Sequence, residues 1–181
     1  EDLSRGLGDV YKRQVYGLSF EGVLVCADIE TGQEVWRTNF QSDLGGRMMS
    51  GWGYSESPLV DGDLLICTPG SDRGVLAALD KRTGKVVWRT PMPEGSAGYS
   101  SPVISHGGGV KQYVTLVGKG LIGVRAADGA LLWHYPAIAN NTANVPTPIV
   151  SGDFVFGSSG YGDGGSALLR LSPAGRGSVR F

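Results

Sequence analysis

The stretch Ala78-Leu-Asp-Lys-Arg-Thr-Gly-Lys-Val-Val-Trp88 is repeated along this chain. A close copy precedes it, Cys26-Ala-Asp-Ile-Glu-Thr-Gly-Gln-Glu-Val-Trp36, and a looser copy follows, Gly123-Val-Arg-Ala-Ala-Asp-Gly-Ala-Leu-Leu-Trp133. The three tryptophans are 52 and 45 residues apart. Self-similarity at a period of roughly 40–50 residues is typical of repeat architectures. The apolar runs around each copy are short and end at glycine-containing turns, which predicts units made of strands.

The middle unit predicts four antiparallel strands. Its apolar segments are 57–60, 63–68, 74–80 and 85–90, with tight turns at Asp61-Gly62 and Thr83-Gly84. Four short strands joined by hairpins in about 45 residues are typical of a propeller blade. We therefore predict an all-β chain of four-stranded antiparallel blades. The whole blades are expected at 57–90 and 101–135, and partial blades at 15–40 and 147–181.

The repeated residues have structural roles in this interpretation. Glycine supplies the positive φ of a tight turn, and Asp and Thr side chains bond the turn amides. A tryptophan is a large apolar wedge suited to packing one blade against the next. The residues assigned these roles are Asp28, Thr31, Gly32, Trp36, Asp80, Thr83, Gly84, Trp88, Asp128, Gly129 and Trp133.

The motif Ala-x-Asp-x-x-Thr-Gly-x-x-x-Trp resembles the tryptophan-docking repeat of the PQQ-like (quinoprotein-like) β-propellers. Cys26 and Gly123 depart from its alanine, and Arg125 departs from its aspartate. The resemblance covers Val15 to about Ser172. Because such propellers usually have seven or eight blades, it implies an incomplete arc of about four blades, in preference to a closed four-bladed ring. It also implies a periplasmic or extracellular location.

Composition excludes some partners. The 181 residues include 16 basic and 17 acidic side chains, for a net charge of −1, so we expect no nucleic-acid partner. No apolar run approaches the ~18 residues of a membrane span. Cys26 and Cys67 lie in apolar, strand-like runs, which favours buried free thiols over a disulfide.

The first fourteen residues form a separate segment. Residues 1–14 (EDLSRGLGDVYKRQ) show no alternating pattern that joins the first repeat. They resemble translations of read ends or adapters at the ends of metagenomic gene fragments. We therefore expect a non-native leader at 1–14 and propeller sequence over 15–181.

A ligand site is expected on one face of the arc. Strand direction alternates within a blade, so the long loops, at 41–56, 69–73, 91–100, 136–146 and 159–166, all lie on one face, which we call the long-loop face. Binding residues concentrate on such loops. The last residues of the blade-to-blade connections should reach the mouth of the central channel. The candidate ligand-binding residues are Trp52, Tyr54, Glu56, Tyr99, Asn141 and Asn144. The alternative is that Tyr54 and Tyr99 only plug the channel.

Two functions fit these features. The favoured one is a non-catalytic propeller that binds a protein, a glycan or a small molecule on its long-loop face. The alternative, implied by the resemblance, is part of a quinone-dependent alcohol dehydrogenase with PQQ and calcium as cofactors. Such enzymes need a vicinal cysteine pair, which this sequence lacks. We find no nucleophile–base arrangement and no metal signature, and so assign no catalytic or metal-binding residue.

Overall fold

The computed structural model describes residues 13–162, 164–175 and 177–181. These residues form sixteen strands and one short 3-10 turn at Gly107–Gly109, and they include no helix long and apolar enough to cross a membrane. The strands pair antiparallel into consecutive sheets, and each sheet follows chain order. The predicted all-β propeller fold is confirmed.

Two sheets have four strands each and correspond to the two predicted whole blades. Blade 2 runs in the order β4-β5-β6-β7, and blade 3 in the order β8-β9-β10-β11. The strands of blade 2 are Leu59–Asp61, Leu64–Cys67, Leu76–Asp80 and Val86–Thr90. Those of blade 3 are Val103–Ser105, Gln112–Val117, Gly120–Arg125 and Leu131–Tyr135.

Two sheets have three described strands each. Blade 1 contains β1 (Gln14–Leu18), β2 (Val23–Asp28) and β3 (Glu34–Asn39). Blade 4 contains β12 (Ile149–Ser151), β13 (Phe154–Ser158) and β14 (Ser166–Arg170). A separate hairpin follows, made of β15 (Ser172–Gly175) and β16 (Ser178–Arg180).

The last two residues of the expected leader contact the first repeat. Residues 1–12 lie outside the described residues, but Gln14 pairs with Asp28 in the first strand pair. Arg13 accepts a 2.6 Å hydrogen bond from the Ile29 amide, and its guanidinium contacts Glu30 at 2.8 Å. The alternating pattern was read from Val15 onwards, but backbone pairing extends to Gln14.

Blades 1 and 2 each present a tryptophan to the turn of the next blade. The Trp36 indole Nε1 donates to the Lys81 carbonyl at 3.0 Å, and its ring covers Gly84, where a Cβ would lie only 2.6 Å from the indole. Trp88 covers Gly129 in the same way, at 2.4 Å from the position of a Cβ. Glycine is required at both turns because the indole occupies the space of a side chain and because φ is positive.

Hydroxyl groups reinforce the same junctions. Thr38, two residues after Trp36, donates to the Gly84 carbonyl at 3.4 Å, and Thr90, two residues after Trp88, donates to the Gly129 carbonyl at 2.9 Å. Three apolar clusters fill the sheet contacts, and Cys26 and Cys67 are both buried, free thiols in the first cluster. The core of this arc therefore lies between blades.

Side-chain bonds hold the repeat turn in all three copies, but the third copy uses different groups. In the first two copies, Asp28 and Asp80 each accept a hydrogen bond from the backbone amide and one from the hydroxyl of the threonine three residues later. In the third copy Arg125 stands at the aspartate position and donates to Asp128 at 2.8 Å. An ion pair thus replaces the Asp–Thr hydrogen bonds and holds the same turn, with Gly129 at φ +74°.

Trp133 has a different environment from the other two repeat tryptophans. Its Nε1 donates to Gln112 Oε1 of its own blade at 2.6 Å, and Phe181 meets its ring edge-on at 5.9 Å. Gly123 lacks a Cβ, which would otherwise lie 2.2 Å from the indole. The departure from the motif alanine at position 123 is therefore explained by the position of Trp133.

One turn of this kind has no indole over it in the described part of the chain. The Thr31-Gly32 turn of blade 1 has the same Asp cap and the same φ of +69° as the turn at Gly84. A Cβ on Gly32 would have no atom within 4 Å, whereas one on Gly84 would meet Trp36. The two glycines thus share their turn geometry, and Gly84 alone is covered, by Trp36 and by the Thr38 hydroxyl.

This difference gives a direct test of the docking contact. We expect Gly32→Ala to cost about 1 kcal/mol, because alanine disfavours the left-handed backbone. Gly84→Ala should cost that amount plus roughly 2 kcal/mol, because the methyl group must displace the Trp36 ring. Urea unfolding of both variants measures the difference, and equal losses would contradict the assigned role of the tryptophan.

Candidate functional site

Three aromatic side chains meet on the long-loop face. Trp52 lies on the connection from blade 1 to blade 2, Tyr99 on the connection from blade 2 to blade 3, and Tyr161 on the β13–β14 loop of blade 4. The Trp52 ring centroid is 6.2 Å from that of Tyr99 and 6.5 Å from that of Tyr161. Residues about 109 positions apart in sequence are brought together because consecutive blades stack around one axis.

These rings line a pocket of about 250 Å³, which we call the aromatic pocket. Its wall is completed by Ser55, Ala143 and Val145. Trp52 is 57% exposed and Tyr161 is 50% exposed, whereas Tyr99 is mostly buried and its hydroxyl contacts the hydroxyl of Ser50. Tilted, accessible aromatic faces bind apolar groups, sugar faces and cations.

Tyr54 lies in the core between blades 1 and 2, away from this pocket. It is 4% exposed, its ring packs edge-on against Phe40 at 5.3 Å, and its hydroxyl donates to the Pro69 carbonyl at 3.0 Å. Burial raises the pKa of its phenol. Gly22 and Gly46 leave the space that this side chain occupies. Tyr54 thus fills space in the core between blades 1 and 2, and its hydroxyl bonds a backbone carbonyl of blade 2.

Glu56 is a buried carboxylate with a structural bond. Its Oε1 accepts a 2.6 Å hydrogen bond from the Thr68 amide, and the residue is 6% exposed. Its Oε2 and the Thr68 hydroxyl are buried without partners among the described residues. Burial raises the pKa of this carboxyl to about 7, and the bonds from Thr68 oppose that rise.

In blade 3 a serine hydroxyl accepts the hydrogen bond that the Glu56 carboxylate accepts in blade 2. Ser100 precedes the Ser-Pro pair of blade 3 as Glu56 precedes that of blade 2. The Ser100 hydroxyl accepts from the Leu116 amide at 3.3 Å, which matches the bond from the Thr68 amide to Glu56. A single hydroxyl oxygen accepts the amide hydrogen bond in blade 3. In blade 2 the Oε1 atom of Glu56 accepts it, and Oε2 makes no hydrogen bond with the described residues.

The asparagines fold the connection between blades 3 and 4. Asn144 is fully buried, and its amide nitrogen donates to the Val117 carbonyl at 2.9 Å while its amide oxygen accepts from the Asn140 backbone at 3.0 Å. Asn140 caps the amides of Thr142 and Ala143. Asn141 is exposed on this connection. Both the nitrogen and the oxygen of the Asn144 side-chain amide therefore form hydrogen bonds within the protein.

The structure therefore separates the six candidate residues. It brings Trp52 and Tyr99 together in the aromatic pocket, places Tyr54, Glu56 and Asn144 in buried protein contacts, and leaves Asn141 exposed. Sequence reasoning missed Tyr161, although the loop at 159–166 was assigned to the same face. An aromatic residue in that loop was the available signal. Binding by these residues stays a prediction.

A calcium–quinone site would need several oxygen ligands that converge on one point. Glu56 and Asn144 offer oxygen ligands from different connections, but Asn144 uses its oxygen within its own loop. Within residues 13–162, 164–175 and 177–181, no three His, Cys, Asp or Glu side chains cluster at metal-binding distance. These residues as arranged do not fit a calcium ligand set.

Burial of Glu56 predicts a pH dependence of stability. Its pKa of about 7 in the fold lies above the ordinary 4.5, so its contribution is complete below about pH 4.5 and is lost as the pH rises towards 7. The loss is on the order of 3 kcal/mol. Glu56→Gln keeps the acceptor for the Thr68 amide and cannot ionise, so this variant should lack that loss.

The measurement is urea unfolding at pH 5, 6, 7 and 8. Glu21→Gln, at an exposed position, is the matched control and should follow the wild-type profile. If Glu56→Gln loses stability with pH as steeply as the wild type, the carboxyl is not the source of the dependence.

The sequence was compared with known proteins. It matches the family model described as outer membrane protein assembly factor BamB over residues 2–179. Outer membrane protein assembly factor BamB of Yersinia pestis is 28% identical in an alignment of 166 residues that covers 82% of this chain and 36% of the relative. A 1-butanol dehydrogenase (quinone) of Thauera butanivorans is 32% identical over 101 residues, which are 53% of this chain and 16% of that enzyme.

A solved structure shows the same fold. BamB from Moraxella catarrhalis superposes with a TM-score of 0.63 at 19% sequence identity, over 93% of this chain and 48% of that chain. The chain thus spans about a third of the Yersinia relative and about half of the Moraxella structure. The sequence match covers almost every residue, including most of the expected leader. The chain therefore belongs to the PQQ-type β-propeller repeat family whose model is described as outer membrane protein assembly factor BamB.

Proposed function

We propose that this chain is part of a non-catalytic β-propeller of the cell envelope that binds a partner protein through its long-loop face. The carrying observation is the aromatic pocket, where Trp52, Tyr99 and Tyr161 from three different blade connections and loops form one surface. Rigid strands position this surface, and the loops supply its chemistry.

The exposure of these side chains favours a protein partner. Trp52, Tyr161 and Val145 are all 47% exposed or more, and they line the same pocket. Tryptophan and tyrosine dominate the binding energy of protein interfaces, and clustered apolar exposure is typical of interaction sites. A glycan or a small molecule could use the same faces, but a shallow pocket with exposed walls suits a protruding side chain of a partner.

The relatives support the class and location of this partner. The Yersinia relative is named as an outer membrane assembly factor, which indicates protein partners and an envelope location. We extend both to this chain as part of the proposal and place the protein in the periplasm. The partner's identity follows from the cross-linking experiment below.

A quinone-dependent alcohol dehydrogenase is the second candidate. The observation in its favour is the 32% identity with the Thauera 1-butanol dehydrogenase (quinone) over 101 residues. Bound PQQ and calcium would supply the oxidising chemistry in such an enzyme. Two observations oppose this candidate. The side-chain amide of Asn144 is hydrogen-bonded within the protein, and Cys26 and Cys67 are buried free thiols on different blades. Dye-linked alcohol oxidation by the longer native protein with PQQ and calcium would favour the enzyme.

Site-specific photo-cross-linking in the native cell tests the binding proposal. A photoreactive residue at Ser55, on the wall of the aromatic pocket, should yield one or a few discrete protein adducts. The same residue at Asp63, on the opposite face, should not. Trp52→Ala should reduce the Ser55 adducts strongly, because an exposed interface tryptophan contributes roughly 2 kcal/mol or more to binding.

The melting temperature of the variant distinguishes lost binding from lost folding. The melting temperature of Trp52→Ala should match the wild type, since the ring is 57% exposed. Equal adducts from Ser55 and Asp63, or adducts that persist unchanged in Trp52→Ala, would contradict a binding site in the aromatic pocket.

A further inference from the structure

We propose that the long-loop face carries a second binding site, which holds a carboxylate group in a pocket between blades 1 and 2. This pocket has a volume of about 410 Å³ and shares no residue with the aromatic pocket. We call it the arginine pocket. Its polar side chains are Asp43, Arg47, Ser71, Asp72, Arg73 and Arg89. The proposal does not depend on the function proposed above.

Three separate segments build the arginine pocket. Asp43 and Arg47 come from the connection between blades 1 and 2, Ser71 to Arg73 from the β5–β6 loop, and Arg89 from β7. The Arg47 amide donates to the carbonyls of Pro69 at 3.1 Å and Gly70 at 2.8 Å. Its carbonyl accepts from the Ala97 amide at 2.8 Å. The connection is therefore pinned to both neighbouring loops, and the pocket is formed before any ligand arrives.

The two carboxylates of the arginine pocket are already occupied. Asp43 accepts a 2.8 Å hydrogen bond from the Asn39 amide and another from the Ser42 hydroxyl. Asp72 pairs with Arg47 at 2.7 Å. Because both carboxylates already have partners, neither forms an ion pair with Arg73 or Arg89.

Two arginines retain donor capacity. Arg89 makes one long hydrogen bond, 3.4 Å from Nη1 to the Leu44 carbonyl, and its stem packs against Gly74. Arg73 is exposed and makes no hydrogen bond or ion pair with any residue of the described chain. A guanidinium offers five N–H donors in a planar fork, which matches the two oxygens of a carboxylate.

A buried hydroxyl at the same place also lacks a partner. Ser71 is 7% exposed and lines the pocket, and its Oγ has no hydrogen-bond partner among the described residues. A buried hydroxyl without a partner is unfavourable. The spare guanidinium donors of Arg73 and Arg89 border one cavity, and both suit an acceptor-only ligand.

The charge of the pocket selects the ligand. Three arginines and two aspartates leave one positive charge, which a single carboxylate neutralises. A phosphate dianion would leave an excess negative charge beside Asp43 and Asp72. We therefore assign the pocket to a carboxylate, carried either by an acidic side chain of a peptide or by a small organic acid.

The test is a titration of the full chain, followed by NMR, with Ac-Gly-Gly-Asp-Gly-NH2 in one arm and succinate in another. Both should produce saturable shifts at the amides of residues 71–73, and the tighter of the two identifies the source of the carboxylate. Ac-Gly-Gly-Asn-Gly-NH2, an uncharged isostere, and inorganic phosphate are the comparison ligands. Arg73→Gln should raise the dissociation constant about fivefold, as expected for one partly exposed charge-assisted contact.

Arg180→Gln, an exposed arginine on β16, is the matched control and should leave binding within a factor of about two. Arg73→Gln should melt with the wild type, because the side chain has no structural contact. Equal binding of the asparagine peptide, tighter binding of phosphate, or an equal loss in Arg180→Gln would each overturn the proposal.

Discussion

The contact of an indole with the glycine of the next blade's turn is the interaction on which this arc depends. It places the apolar core between sheets, because Trp36 and Trp88 each cover the turn of the following blade. It also fixes the turn itself, since the covered glycine has no room for a side chain and has a positive φ. A fixed turn sets the register of the two strands that it joins. The loops at the opposite ends of those strands then lie together on the long-loop face.

The sequence predicted this framework well because the framework repeats. Spacing, turn glycines and alternating apolar residues identified both whole blades, with strand ends within about two residues of those found. The third copy shows the limit of motif reading. Arg125 looked like a degraded aspartate position, yet its pairing with Asp128 preserves the turn. Such a compensation is visible only when both side chains are considered together.

The candidate site was predicted less completely, because the sequence of a connection without strand periodicity does not indicate which of its side chains are buried. Trp52 and Tyr54 are two residues apart, and both were expected at the channel mouth. The first is exposed, and the second fills space left by Gly22, in the β1–β2 turn, and by Gly46, earlier on the same connection. Glu56 was chosen as a carboxylate that could meet a ligand, but it bonds a backbone amide, as Ser100 does in the next blade. The arginine pocket escaped notice because its charges come from three segments, none of which is strongly basic alone.

The docking contact has a direction, because Trp36 and Trp88 each reach forward onto the turn of the following blade, and blade 2 both provides a tryptophan and receives one. A complete unit therefore carries both halves of the contact. When the gene segment for a whole unit is duplicated, the new blade satisfies its neighbours on both sides, whereas loss of part of a unit leaves either an indole or a turn without its counterpart. The uncovered turn at Gly32 is such an unmatched half in the described chain. In a repeat built in this way, a whole blade can be gained or lost without leaving half of the contact unmatched, whereas the loops on the long-loop face lie outside the contact and can differ in length from blade to blade.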